Sequence, residues 1–215
     1  MASRWRHIIS MSMSPEILQI GAVLQPDWDE RPLRVIAFDD REVMYDCWWP
    51  HKAEWGFASL RGTITYYRVP CELLLKGCTY LRTEPLTQLE FDVHRPDLPL
   101  RIAMLDHVEW PAPARLEAFR TMLISLASSD SLPATKLYLC PFGPNGGTKA
   151  GVLVEPEDGH AFGVAELLSF AAAIQAPHLH GASLPRGVGL FRLGIQRRAP
   201  SYYLWGSQSR AEAQE

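Results

Sequence analysis

Trp28, Trp48, Trp49 and Trp55 fall inside one acidic stretch, and the chemistry this combination offers is cation capture. An indole face attracts ammonium and guanidinium groups, and carboxylates nearby add to the attraction. Between Asp27 and Glu54 stand eight acidic residues against four basic ones, Arg31, Arg34, Arg41 and Lys52. Asp39, Asp40, Asp46 and Glu54 are placed to supplement the rings. Adjacent side chains on a strand point to opposite faces, so one of Trp48 and Trp49 is expected at a surface or interface, where aromatic residues are enriched. Tyr45, Asp46, Trp48, Trp49 and Trp55 form the candidate partner-binding set. The competing reading makes Tyr45 and Trp49, which alternate with Val43, plain core.

The far end of the chain has the opposite charge. No acidic residue lies between Glu166 and Glu212, while Arg186, Arg192, Arg197, Arg198 and Arg210 do. Arginine beside aromatic rings suits a single-stranded nucleic acid, through phosphate neutralisation and base stacking. Arg192, Arg197, Arg198, Tyr202 and Tyr203 are the candidate nucleic-acid contacts. The alternative is an ordinary solvated hairpin whose tyrosines pack on a sheet.

Weaker constellations complete the chemical inventory. His178-x-His180 could begin a metal site with His160 or Cys140 as further ligands, which would make a small metal-dependent hydrolase, but two ligands do not close a tetrahedral site. Gly143–Lys149 superficially resembles a phosphate loop, yet Thr148 stands where the last glycine belongs and Ala150 where the Ser/Thr belongs. A glycine-rich hairpin turn is the expectation there. Cys140 lies in an apolar strand with no protease signature around it. Asp39, Asp40, Glu42 and Asp46 lack the lysine of a nuclease arrangement, and Asp39-Asp40 reads as turn chemistry. No pair of residues combines the types and spacing of a catalytic arrangement, so an enzyme is disfavoured and neither metal nor cofactor is expected.

The elements that must position these residues follow from periodicity. Segments 17–24, 33–38, 43–49, 55–60 and 63–69 read as short β-strands, with a hairpin turn at Asp39–Glu42. Five short strands in so little chain predict a small closed barrel or a strongly bent sheet. The pattern over 16–68 resembles an SH3-like barrel of the Tudor type, and the resemblance implies an aromatic-lined pocket beside acidic loops. Segment 71–76 and the stretch opened by Glu84-Pro85 predict short helices. Trp110-Pro-Ala-Pro113 predicts a domain boundary. Beyond it, Leu116, Phe119, Leu123 and Leu126 have helical spacing, as do Val164, Leu167, Leu168, Ala171 and Ile174. Strand pairs are expected over 136–142 with 151–154, and over 188–197 with 202–205.

The expected fold is therefore α+β: an SH3-like barrel over 16–69, a connector with short helices over 70–113, and over 114–209 an antiparallel sheet with two helices on one face. Residues 1–15 read as a flexible arm, or as sequence upstream of a true start at Met11 or Met13. The 215-residue length allows one large or two small domains. A net charge of −3 is near neutral and argues neither for nor against nucleic acid, while 47% hydrophobic residues are ordinary for a globular protein and 21% charged residues are far from a disordered composition. Four cysteines with no C-x-x-C pair point to a reducing, cytoplasmic setting, and no apolar run is long enough for a membrane span. The expected function is a non-enzymatic binding or adaptor protein that recognises a basic peptide or a partner subunit through the Trp-rich acidic surface. The alternatives are an accessory nucleic-acid-binding subunit and the small hydrolase.

Overall fold

A computed structural model of the chain describes residues 17–60, 63–126, 131–143, 147–179 and 186–205. The expected arm at 1–15 lies outside the described residues. Those described form two compact units, one containing residues through Ala58 together with Tyr66–Asp92, the other Ser59–Thr65 and the chain from Val93 onward.

The first unit begins with strands β1 (Ala22–Pro26), β2 (Leu33–Phe38), β3 (Glu42–Trp49) and β4 (Glu54–Gly56). β5 (Ala58–Leu60) and β6 (Thr63–Thr65) belong to the other unit's sheet. The first unit resumes with β7 (Tyr67–Pro70), α1 (Cys71–Gly77), β8 (Cys78–Thr83) and the start of α2 (Gln88–His94). Asp39 makes the β2–β3 hairpin, because its Oδ1 accepts from the backbone N–H of Arg41 (2.8 Å) and Glu42 (2.9 Å). Thr87 and Glu90 cap α2 reciprocally: Thr87 Oγ1 accepts from Glu90 N–H, and the Glu90 carboxylate from Thr87 N–H. One face of the sheet buries Ala22, Leu24, Leu33, Val35, Val43 and Val69 together with Leu74 of α1.

The SH3-like barrel is not found. The sheet runs β4-β3-β2-β1-β8, and β7 also pairs with β3. β4 pairs with the Cys47–Trp49 end of β3 and β7 with its Glu42–Tyr45 end, while β2 takes the other side. Among the described residues no pairing joins β8 to β4 or β7, so the sheet stays open. The physical reason is a change of allegiance within 55–69: its ends stay as β4 and β7, but its middle, β5 and β6, leaves for another sheet. The remaining edge is filled by β8, from a segment expected to be connector.

In the second unit follow β9 (Arg101–Glu109), α3 (Leu116–Leu126), β10 (Ser131–Leu132), β11 (Leu137–Cys140), β12 (Val152–Val154), β13 (Phe162–Gly163), α4 (Val164–Gln175), β14 (Arg186–Gln196) and β15 (Ala199–Trp205). The main sheet runs β12-β11-β15-β14-β6-β5, with β9 also on β14. It is mixed rather than antiparallel, because β11 and β15 pair in parallel. Their connection carries α4, the length of crossover that parallel neighbours need. Phe119 and Leu123 of α3 and Leu167, Leu168, Ala171 and Ala172 of α4 share one core with Leu137, Leu139, Val188, Leu190, Tyr202 and Leu204 of the strands. Trp110, expected at a boundary, is fully buried in this core. The α+β class stands; the barrel and the all-antiparallel sheet do not.

Candidate binding surface

Strand alternation on β3 divides the expected partner-binding set between two faces. Tyr45 and Trp49 share the side of Val43, where the first unit's core lies, while Asp46, Trp48 and Trp55 are on the other. The second group is an internal network. Arg34 donates from Nη2 to Asp46 Oδ2 (2.8 Å) and to Glu90 Oε1 (2.7 Å), and from Nε to Asp46 Oδ1 (3.3 Å). Its guanidinium lies over the Trp55 ring at 4.9 Å, and Trp55 Nε1 donates to Glu84 Oε1 at 2.6 Å. Trp48 meets Trp55 edge-on at 5.4 Å. The side chains of Arg34 and Asp46 are 3% and 1% exposed, so Asp46 is not presented to any partner.

The electrostatics follow from burial. Desolvation pushes the Asp46 carboxyl up to about 6, against the pull of Arg34. Burial also works to raise Glu90, but hydrogen bonds from Arg34 and Thr87 outweigh it and hold that carboxyl below its usual value. Two carboxylates share one guanidinium, and the more buried one keeps its proton longer.

On the opposite face Tyr45 stacks on Tyr67 across the β3–β7 pair, with centroids 5.6 Å apart. Trp49 is half-buried, with Lys52 Nζ 5.1 Å and the Arg31 guanidinium 6.0 Å from its ring centre. Arg31 in turn holds Asp29, Nη2 to Oδ2 at 2.6 Å. Trp28, in the β1–β2 loop, lies against Gly77 at the end of α1 and is 44% exposed. It is flanked by the exposed carboxylates Asp27 and Glu30, and neither forms an ion pair with a described residue. Trp49 and Trp55 thus carry the protein's own cations on their faces, whereas no described cation covers Trp28. Trp28 and Tyr67 were absent from the sequence-derived set. The exposed Trp with acidic neighbours is readable in the sequence; the Tyr45–Tyr67 stack needs the strand register.

The expected nucleic-acid set comes apart. Arg192 is 1% exposed, Tyr202 is fully buried and Tyr203 is 7% exposed. Arg192 donates to the carbonyls of His94 and Arg95 and lies 5.5 Å from the Tyr202 ring centre, and Tyr202 Oη donates to Pro99 O at 2.8 Å. These residues fasten the 94–99 segment onto β14 and β15, so neither Tyr202 nor Tyr203 is free to stack on a base. Only Arg197 and Arg198 are exposed, at the tip.

Gly143 N–H donates to Gly147 O and Lys149 N–H to Pro141 O, closing a hairpin loop that leads into strand β12; residues 144–146 lie outside the described part. His160 is exposed in a turn made by Asp158, and His178 is half-buried in a 3-10 turn at Ala176–His178. His180 lies outside the described residues, among which no three His, Cys, Asp or Glu side chains stand close enough to hold a metal. Burial pushes the thiols of Cys47 and Cys140 up to about 11 and that of Cys78 up to about 12, which keeps them protonated and weakly nucleophilic at neutral pH. No described helix is long and apolar enough to cross a membrane. No protein-family model, curated protein or solved structure matches the chain.

Proposed function

We propose that this protein is a non-enzymatic binding module that engages a basic segment of a protein partner through the Trp28 surface of its first unit. The observation that carries the reading is the exposed indole of Trp28, with Asp27 and Glu30 close by in sequence, two exposed carboxylates without an ion-pair partner among the described residues. A lysine or arginine laid on that ring would gain the aromatic face and both charges together. The same chemistry already operates within the chain, where Lys52 and Arg31 lie over Trp49.

Titration with a labelled lysine- and arginine-rich dodecapeptide, beside a glutamate-rich one of equal length, tests the reading by fluorescence anisotropy. The basic peptide should bind and the acidic one should not. Trp28→Ala should weaken binding about tenfold, the size expected of one well-placed cation–π contact with its burial. Asp27→Asn combined with Glu30→Gln should weaken it further at low salt than at high salt. Equal binding of the two peptides, or a Trp28→Ala variant that binds like the parent, would remove the proposal.

A further inference from the structure

The hairpin tip of the second unit departs from what its turn requires. Gln196 pairs with Ala199, so β14 and β15 are joined by two residues only, Arg197 and Arg198. Both have positive φ, 46° and 63°, the sign that a type I′ turn demands at its two central positions. Asn-Gly meets that demand at least cost, whereas a side chain with a full Cβ and a long stem is strained there. Two consecutive arginines in this conformation lower the stability of the hairpin, and strain of this kind collects where a side chain is needed for something else.

The charge of these arginines is also unspent. Arg31, Arg68, Arg82 and Arg95 each hold a carboxylate, but Arg197 and Arg198 are exposed and make no side-chain hydrogen bond or ion pair with a described residue. The parallel register of β11 and β15 sets Tyr138 beside Ser201, so the exposed Lys136 stands level with Ala199 at the same end of the sheet. The exposed Glu155, which follows Val154 on β12, reaches that end as well, level with Lys136.

We propose that this end of the sheet, Arg197, Arg198 and Lys136, binds the phosphate backbone of a nucleic acid without selecting bases. Forked guanidinium donors match phosphate oxygens, and a strand of phosphates offers successive sites to successive cations. Base selection is absent because Tyr202 and Tyr203 are buried. A lipid surface is the poorer match, because Ala199 and Pro200, the apolar residues that follow the tip, are buried and are not presented for insertion.

The test is anisotropy with a fluorescein-labelled 20-nucleotide mixed-sequence single strand and with its oligo-dT counterpart, from 50 to 200 mM NaCl. Three cations on single-stranded phosphates predict a slope of about −2 in log affinity against log salt, or roughly a 20-fold loss over that range. The turn-optimised variant Arg197→Asn/Arg198→Gly should show a higher urea midpoint than the parent. Its own salt-dependent loss should fall to about threefold, the value for one remaining cation. Both strands should bind alike. The proposal is overturned if neither strand binds at 50 mM, if the double variant binds as the parent does, if the two strands differ tenfold, or if polyglutamate or anionic lipid vesicles are bound more tightly than the strands.

Discussion

Replacing Arg34 with methionine should cost the protein about 3–5 kcal/mol of stability, because removal of one member of a buried ion cluster leaves its partners charged and unpaired. Asp46 would lose both its guanidinium contacts, Glu90 its bridge at 2.7 Å, and Trp55 the cation over its face. The cluster ties β2, β3, β4 and α2 together, so its loss should loosen α2 first. Lysine at position 34 keeps the charge but cannot hold two carboxylates and an indole at once, and an intermediate loss is expected. The triple variant Arg34→Met/Asp46→Asn/Glu90→Gln should recover most of the stability, since nothing charged is then stranded. Urea unfolding followed by tryptophan fluorescence measures all three. An Arg34→Met variant within about 1 kcal/mol of the parent would mean that the carboxylates are solvated in a way their burial denies.

The same cluster sets a pH dependence. Asp46, ordinarily near 3.8, titrates at about 6 in the folded protein, so between these values the native state holds a proton that the unfolded chain has released. Its stabilising contribution is complete below pH ~4 and is lost as pH rises through ~6, for a total of about 3 kcal/mol at most. Glu90 has the opposite sense: its depressed pKa contributes stability above its unfolded value of 4.5 that disappears only in more acidic solution. From pH 5.5 to 7.5 the Asp46 term therefore acts without opposition from Glu90. Asp46→Asn should be no less stable than the parent at pH 7.5, and the parent should lose stability relative to the variant across that interval. Parallel pH profiles for the two would show Asp46 to be ionised throughout.

Local pattern was readable where local forces decide. The 3.6-residue spacing of Leu116, Phe119 and Leu123 and of Val164, Leu167, Leu168 and Ala171 marks two helices that exist because those stripes bury. Asp39 closes its hairpin through its own side chain, a contact spanning two to three residues. Pairing across long separations left no such trace. Glu90 is 56 residues from Arg34, so the sequence displayed the charges without saying which were spent on each other. Arg192 looked like a surface cation beside tyrosines, yet its acceptors are carbonyls 97 and 98 residues away. The aromatic surface was half legible: a cluster of tryptophans in acidic sequence is conspicuous, but which ring remains open depends on where the chain's own cations fall.

Gly194→Ala should be the most damaging single substitution in the second sheet, at about 3 kcal/mol or more, the upper end of what overpacking costs. A methyl group on Gly194 would lie 1.8 Å from the Ile64 carbonyl oxygen, 2.9 Å from its carbon and 3.2 Å from Thr65 Cα. All three are backbone atoms, so no rotamer change relieves the contact. β14 is already paired with β15 on its other side, which leaves β6 as the strand that must move. The expected signature is early hydrogen exchange at Ile64 and Thr65, whose partners are Ile195 and Gly194, with the β14–β15 amides protected longer. Gly163→Ala is the matched control: nothing lies within 4 Å of its would-be Cβ, and its φ of −67° suits alanine, so a change within about 0.5 kcal/mol is expected. Equal, small losses in both variants would mean that β6 does not sit this close to β14. The capture of residues 63–65 by β14, which is what denies the first sheet its barrel-closing strand, would then need another cause.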